Sequence, residues 1–258
     1  MNTVEYNLNG KRYRLASDLH THTRFSHGKG SIEDNVMAAR GKGVMKIGIS
    51  DHGYGHFVFG LTRKDTKLMR AETDRLGKAF PDMEILLGIE ANIIAGSGNL
   101  DMKQEDFADF DYVIAGYHYG ATGLNLVGNG MMTVENALFA HTGISSARLM
   151  RRNTDNMVNA LESFHIDIVS HPWHKVDLDL LEIAVVCARR GTMIEINSGH
   201  LDTLTEEDLK TMALTDVKFI LTSDAHTPGR VGDFAAGLTK FLAAGLDIGR
   251  ITNIEAVT

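Results

Sequence analysis

Short apolar runs alternate with longer amphipathic stretches through most of the chain. Residues 46–50, 84–89, 111–116, 166–170, 192–196 and 218–222 have the length and near-continuous apolar character of buried strands. Ahead of them, residues 4–15 read as a hairpin around the turn pair Asn9-Gly10. Its second arm leads into a first core strand that delivers Asp18, His20 and His22. Between the strands lie helical patterns. Residues 31–42 have Ser31 as N-cap, Asp34 in a weak capping box and Gly43 as a stop. Residues 61–80 are closed by Pro81, 179–190 are followed by Gly191, and 205–213 start on Thr205; 145–161 and 232–244 are also helical. A short acidic helix is expected in the polar connection after Glu90. Residues 120–132 hold four glycines and little periodicity, and read as a mobile loop over the site.

About seven βα alternations predict parallel strands with helical crossovers. A closed or nearly closed barrel gathers all the C-terminal strand ends on one face. A doubly wound open sheet is the alternative, and it would struggle to bring so many strand ends together. The expectation is one domain over residues 1–258, with the hairpin of residues 1–15 appended.

Composition narrows the class. The 258 residues are 43% hydrophobic, enough for a full core, and the formal net charge is −7. That balance disfavours extended nucleic acid while leaving room for a small anionic substrate. Bound divalent cations would offset part of it. The single cysteine, Cys187, forms no disulfide framework and reads as a buried helix residue. Residues 1–5 lack the basic-then-apolar pattern of a signal peptide, and no uncharged apolar run reaches membrane-spanning length. A cytoplasmic location without a membrane partner is expected; self-association stays open.

The chemistry sits where the strands end. His20 and His22 lie two residues apart, so a strand points both to one face. Other runs end at His52, Glu90, His118, His171, Asp224 and His226, and the first loop adds His27. Imidazole and carboxylate together suit Zn²⁺, Mn²⁺ or Fe²⁺. These strand ends therefore predict a polynuclear metal site. Asp51 either orients a ligand, donates a proton or only hydrogen-bonds. Arg230 and Arg24 are candidates for contact with substrate phosphate or for solvated surface. His174, His56 and His200 are candidate pocket residues, and Asn197 a hydrogen-bonding group within the site. His141 and His165 read as structural.

The motifs Asp-Leu-His-Thr-His-Thr at 18–23, Ser-His-Gly at 26–28, Ser-Asp-His-Gly at 50–53, Gly-Ile-Glu at 88–90, Tyr-His-Tyr at 117–119, Ser-His-Pro at 170–172 and Ser-Asp-Ala-His at 223–226 stand in one order. They resemble the motifs of the PHP (polymerase and histidinol phosphatase) family, over residues from about 15 to the C-terminus. The resemblance is nearest to its stand-alone bacterial phosphatases of histidinol-phosphatase-like or swarming-associated type. It implies an α/β fold, a distorted (β/α)7 barrel, with three divalent ions, zinc foremost and manganese or iron as alternatives. One ion would take His20, His22, Glu90 and Asp224; a second Glu90, His118 and His171; the third His27, His52 and His226. Glu90, Asp224 and Asp51 would carry the chemistry, hydrolysis of a small-metabolite phosphate monoester by a metal-bound hydroxide without a covalent intermediate. Histidinol phosphate is one candidate substrate. The rival readings are a phosphodiesterase or nuclease on nucleotides or oligonucleotide ends, an amidohydrolase-type C–N hydrolase, and a non-catalytic PHP binding module.

Overall fold

The computed structural model describes residues 5–8, 10–95, 99–121 and 126–257. In chain order its strands are β1 (Glu5–Leu8), β2 (Lys11–Leu15), β3 (Ser17–Asp18), β4 (Lys46–Ile49), β5 (Glu84–Ile94), β6 (Asn99–Leu100), β7 (Tyr112–Gly116), β8 (Ile168–Val169), β9 (Met193–Asn197), β10 (Phe219–Thr222) and β11 (Ile254–Val257). The helices are α1 (Ile32–Gly41), α2 (Arg63–Ala79), α3 (Leu126–Thr142), α4 (Ala147–Ser163), α5 (Leu180–Arg190), α6 (Glu206–Ala213) and α7 (Ala235–Ala243). No helix among the described residues is long and apolar enough to cross a membrane.

Strands β3, β4, β5, β7, β8, β9 and β10 pair in that order, all parallel. Beyond β3 and β10 the chain closes the ring through a parallel bridge between Thr21 and Ala225. The His22 amide donates to the Ala225 carbonyl at 2.9 Å, and the Ala225 amide to that of His20 at 3.3 Å. The expected α/β barrel is therefore present. Period-two alternation splits its core: β7 sends Val113 and Ala115 toward the helices, and Tyr112 and Ile114 into a small inner cluster with Leu19, Ile168 and Ile220. The Tyr112 hydroxyl donates to the Leu19 carbonyl at 2.6 Å. Its ring occupies the space where Gly88 has no side chain; a Cβ there would lie 2.3 Å from the ring.

Asp18 locks the closing seam. It is fully buried and accepts from the Ser223 amide (3.2 Å), the Ser223 hydroxyl (2.5 Å) and the Gly232 amide (2.7 Å). Burial pushes its pKa up, and these donors oppose the shift. Asp18→Ala would leave buried donors without partners and is expected to cost about 3 kcal/mol, read as a lower denaturation midpoint. An unchanged midpoint would remove Asp18 from this role.

The helices follow their caps. The Ser31–Asp34 box is complete, Thr62 and Thr205 cap α2 and α6 in the same way, and Gly191 ends α5 at φ 74°. The acidic connection forms a 3₁₀ turn, Gln104–Asp109.

Three features differ from the sequence expectation. The expected N-terminal hairpin forms, β1 pairing antiparallel with β2, but it gains a third strand because β11 adds to β2; Val4 and Asn9 lie outside the described residues. β5 runs past Glu90 to Ile94 and pairs antiparallel with β6, so Glu90 sits within a strand. The expected loop 120–132 becomes helix α3 from Leu126 onward, with residues 122–125 outside the described set. The buried face of α3 is Asn129, Met132 and Asn136, while Val127, Met131, Val134 and Leu138 are exposed. Their side-chain oxygens take tertiary donors: Asn129 accepts from the Ala95 amide at 2.6 Å and Asn136 from Asn153 at 2.8 Å. That inverted polarity hides the helix from a reading that looks for a buried apolar stripe.

Candidate metal centre

The strand ends converge as the barrel requires. The extended segment after β3 points His20 and His22 to one face. His52 follows β4 and pairs by a parallel bridge with Glu90 on β5. His118 follows β7, His171 follows β8, and Asp224 and His226 follow β10. His27 reaches in from the first loop. His20, His22, His52, Glu90, His171 and Asp224 are buried. Most of these residues line one cavity of about 260 Å³, with His56, Phe59, Tyr119, His174, Lys175 and His200 on its walls.

Glu90 lies at the centre. Its Oε1 is 3.1 Å from His118 Nε2, 3.3 Å from His20 Nε2 and 3.5 Å from His171 Nε2. Its Oε2 is 3.0 Å from His52 Nδ1 and 3.5 Å from His22 Nε2. Asp224 Oδ1 is 3.1 Å from His22 Nε2 and 3.6 Å from His20 Nε2. Ligand atoms about 2.1 Å from a tetrahedral ion stand roughly 3.4 Å apart, so these spacings match the edges of coordination polyhedra. Four groups have donor atoms mutually within 4.8 Å: His22/His27/His52/His226, His20/His22/Asp224, His52/Glu90/His118 and His171/His200/Asp224.

The chemistry of the donors fits divalent ions. Both Glu90 oxygens, Asp224 Oδ1, His118 Nε2, His226 Nε2 and His52 Nδ1 are buried without a hydrogen-bond partner. Orphaned acceptors at such density are costly unless a cation satisfies them. Burial opposes ionisation of Glu90, yet His118 and His20 hold its pKa well below the usual carboxylate range. Burial and the neighbouring His226 and His52 drive His27 down to about 3, and burial drives His118 down to about 4, so both rings are neutral donors at ordinary pH.

A second layer orients the ligands. Glu195, fully buried on β9, meets His20 Nδ1 at 2.5 Å and accepts from Thr222 (2.5 Å), the His171 amide (3.0 Å) and Asn197 (3.0 Å). This fixes the proton of neutral His20 on Nδ1 and frees Nε2. Asn92 Oδ1 does the same for His118 Nδ1 at 2.8 Å, and Asn92 is itself held by Asp101. Neither Glu195 nor Asn92 stands among the candidates that the sequence alone offers. The available signal was a lone carboxylate inside the apolar run 192–196, two residues from Asn197 and so on its face of the strand.

The remaining candidates divide. Asp51 accepts from the Thr23 amide (2.7 Å), the Thr23 hydroxyl (2.6 Å) and the Ser26 hydroxyl, and stays 3.9 Å from His22 Nδ1; burial raises its pKa against those donors. It shapes loop 23–26. Asn197 donates to Asp224 Oδ2 at 3.1 Å, within the site. His56, His174 and His200 line the cavity. Arg24 and Arg230 do not: Arg24 is exposed, and Arg230 faces a separate cleft with Ser198 and Phe234, 3.5 Å from Asp233. The turn Pro228–Arg230 carries it away from the strand ends. Among the described residues, the cation on the cavity wall is Lys175, over the Tyr119 ring at 5.6 Å. His141 and His165 are exposed and apart from the site.

Comparison with known proteins gives this architecture a family. The PHP domain model matches residues 18–213, and the chain belongs to that family. A protein of Thermoanaerobacter sp. (strain X514) named "probable phosphatase" is 27% identical over 261 residues, covering 92% of this chain and 93% of its own. PolX, a DNA polymerase/3′–5′ exonuclease of Bacillus subtilis (strain 168), is 27% identical over 236 residues, 88% of this chain but 37% of that protein. In fold, the chain resembles the histidinol phosphate phosphatase of Lactococcus lactis, solved with zinc, L-histidinol and phosphate. The TM-score is 0.60 at 16% identity, covering 90% of this chain and 94% of that one.

Proposed function

We propose that this metal-dependent phosphoesterase hydrolyses phosphate monoesters of small metabolites at a trinuclear centre. The observation that carries the reading is Glu90: a buried carboxylate with neither oxygen hydrogen-bonded, surrounded by five imidazoles. The phosphatase names of relatives matched along most of their length support the monoester, and a cavity of about 260 Å³ suits a small substrate.

In this assignment His20, His22, Glu90 and Asp224 hold one ion, Glu90, His118 and His171 a second, and His27, His52 and His226 a third. Zinc is the favoured metal from the histidine-rich donor set. Bound divalent ions supply Lewis acidity toward phosphate and an activated water. The chain's own groups do the rest. Glu195 keeps the His20 proton on Nδ1. His56 Nδ1 accepts from the Phe59 amide at 3.0 Å, which leaves its proton on Nε2. Lys175 places a positive charge on the wall that a substrate phosphate or its substituent passes.

Phosphate release from histidinol phosphate, sugar phosphates, nucleoside monophosphates and short diesters tests the reading. Metal-dependent release from a monoester is expected. Cleavage confined to diesters would instead favour an exonuclease-like activity, as in PolX, and silence across the panel in metal-replete protein would overturn the proposal.

Metal capture is expected to strengthen with pH. Burial disfavours the His20 cation, but Glu90, Glu195 and Asp224 outweigh it and lift its pKa well above the ordinary value. His20 without an ion therefore holds its second proton more tightly than an ordinary imidazole, the ion must displace that proton, and raising pH removes the competition. Apparent Zn²⁺ affinity should rise up to about tenfold per pH unit across neutrality, read by competition with a chelator. A flat profile would contradict this.

A further inference from the structure

We propose that His200 is a metal ligand, completing with His171 and Asp224 Oδ2 the coordination of the ion on His171. The inference deepens the proposed metal centre and rests on it. His200 Nε2 lies 3.1 Å from Asp224 Oδ2, and the donor atoms of His171, His200 and Asp224 are mutually within 4.8 Å. Asp224 Oδ1 faces the other way, 3.1 Å from His22 Nε2. Its two oxygens thus serve two sides of the cluster, as the two oxygens of Glu90 do.

The ring is held in place for this task. The His200 carbonyl accepts from Trp173 Nε1 at 2.8 Å, and its amide donates to Asn197 at 3.2 Å. The imidazole stacks on His174 at 3.9 Å and stands edge-on to His171 at 5.0 Å. The backbone supports the same reading. His171 (φ 25°) and Asp224 (φ 48°) are non-glycine residues in the left-handed region, where strain persists only if the surroundings impose it. Those two strained residues are the ones His200 joins. The loop carrying His200 follows β9, so the sixth barrel strand would also contribute a ligand, where the motifs assign it none.

The test compares zinc uptake by equilibrium dialysis and chelator competition in the wild-type protein, His200→Ala, His200→Asn, His171→Ala and Glu90→Gln, with circular dichroism confirming that each is folded. The expected result is one equivalent of Zn²⁺ captured at least about tenfold more weakly in His200→Ala and His200→Asn, the same equivalent that His171→Ala loses. Wild-type affinity for every equivalent in His200→Ala would overturn the proposal. So would wild-type affinity in His200→Asn, since an amide can donate to Asp224 and its success would make His200 a hydrogen-bond partner only. Unaltered uptake in Glu90→Gln would instead overturn the Glu90-centred site, whatever His200 does.

Discussion

Glu90→Gln is expected to reduce phosphate release at least about a thousandfold and to lower the zinc content of the purified protein. The substitution preserves volume and is placed in a strand whose neighbours are fully packed, so the barrel should survive. What changes is charge and donor geometry. One carboxylate oxygen becomes an NH₂ group, and either orientation presents a donor to imidazoles that face Oε1 at 3.1–3.5 Å or Oε2 at 3.0–3.5 Å. The negative charge that offsets closely spaced cations is lost at the same time. Glu90 also couples the site to pH. Its folded pKa lies well below the ordinary value, so its ionised form stabilises the fold above the unfolded carboxylate range, and that contribution fades as pH falls through the folded pKa. The glutamine variant should lose this part of the acid dependence. Full turnover with normal zinc content would dismiss Glu90 from the centre.

Removal of metal should abolish activity and depress the melting temperature, both restored by adding Zn²⁺ or Mn²⁺. An ion present at about a thousandfold its Kd stabilises the folded state by about 4 kcal/mol. In a chain of this size that corresponds to roughly 8–16 °C for one tightly held ion. The orphaned atoms of Glu90, Asp224, His118, His226 and His52 give the physical reason, because without cations they are buried and unpaired. Differential scanning fluorimetry of chelated and reloaded protein reads the effect. Coincident melts with and without chelator would show that the cluster holds no structural charge.

Much of this was legible along the chain, and what was not has a common cause. The strands announced themselves by apolar runs, and the ligands by standing where those runs stop, a local signal at each place. Glu195 was hidden because a carboxylate in a buried strand means nothing until His20, distant in sequence, is seen donating to it. Helix α3 was hidden because its buried asparagines find partners on Ala95 and Asn153, outside any local window. β11 has no companion in sequence; it exists because β2 offers a free edge. Arg24 and Arg230 follow ligand motifs closely, yet sequence proximity did not place their side chains on the cavity wall, and Lys175 stands there instead.

The seam between Thr21 and Ala225 joins segments about two hundred residues apart, and the His20, His22 and Asp224 donors sit on that seam. A cation held there is a reversible cross-link between the two ends of the barrel. Closing so long a loop removes chain entropy from the unfolded ensemble worth about 5 kcal/mol by the polymer relation used for disulfides. This protein, with one cysteine, would thus have a staple that responds to metal supply rather than to redox potential.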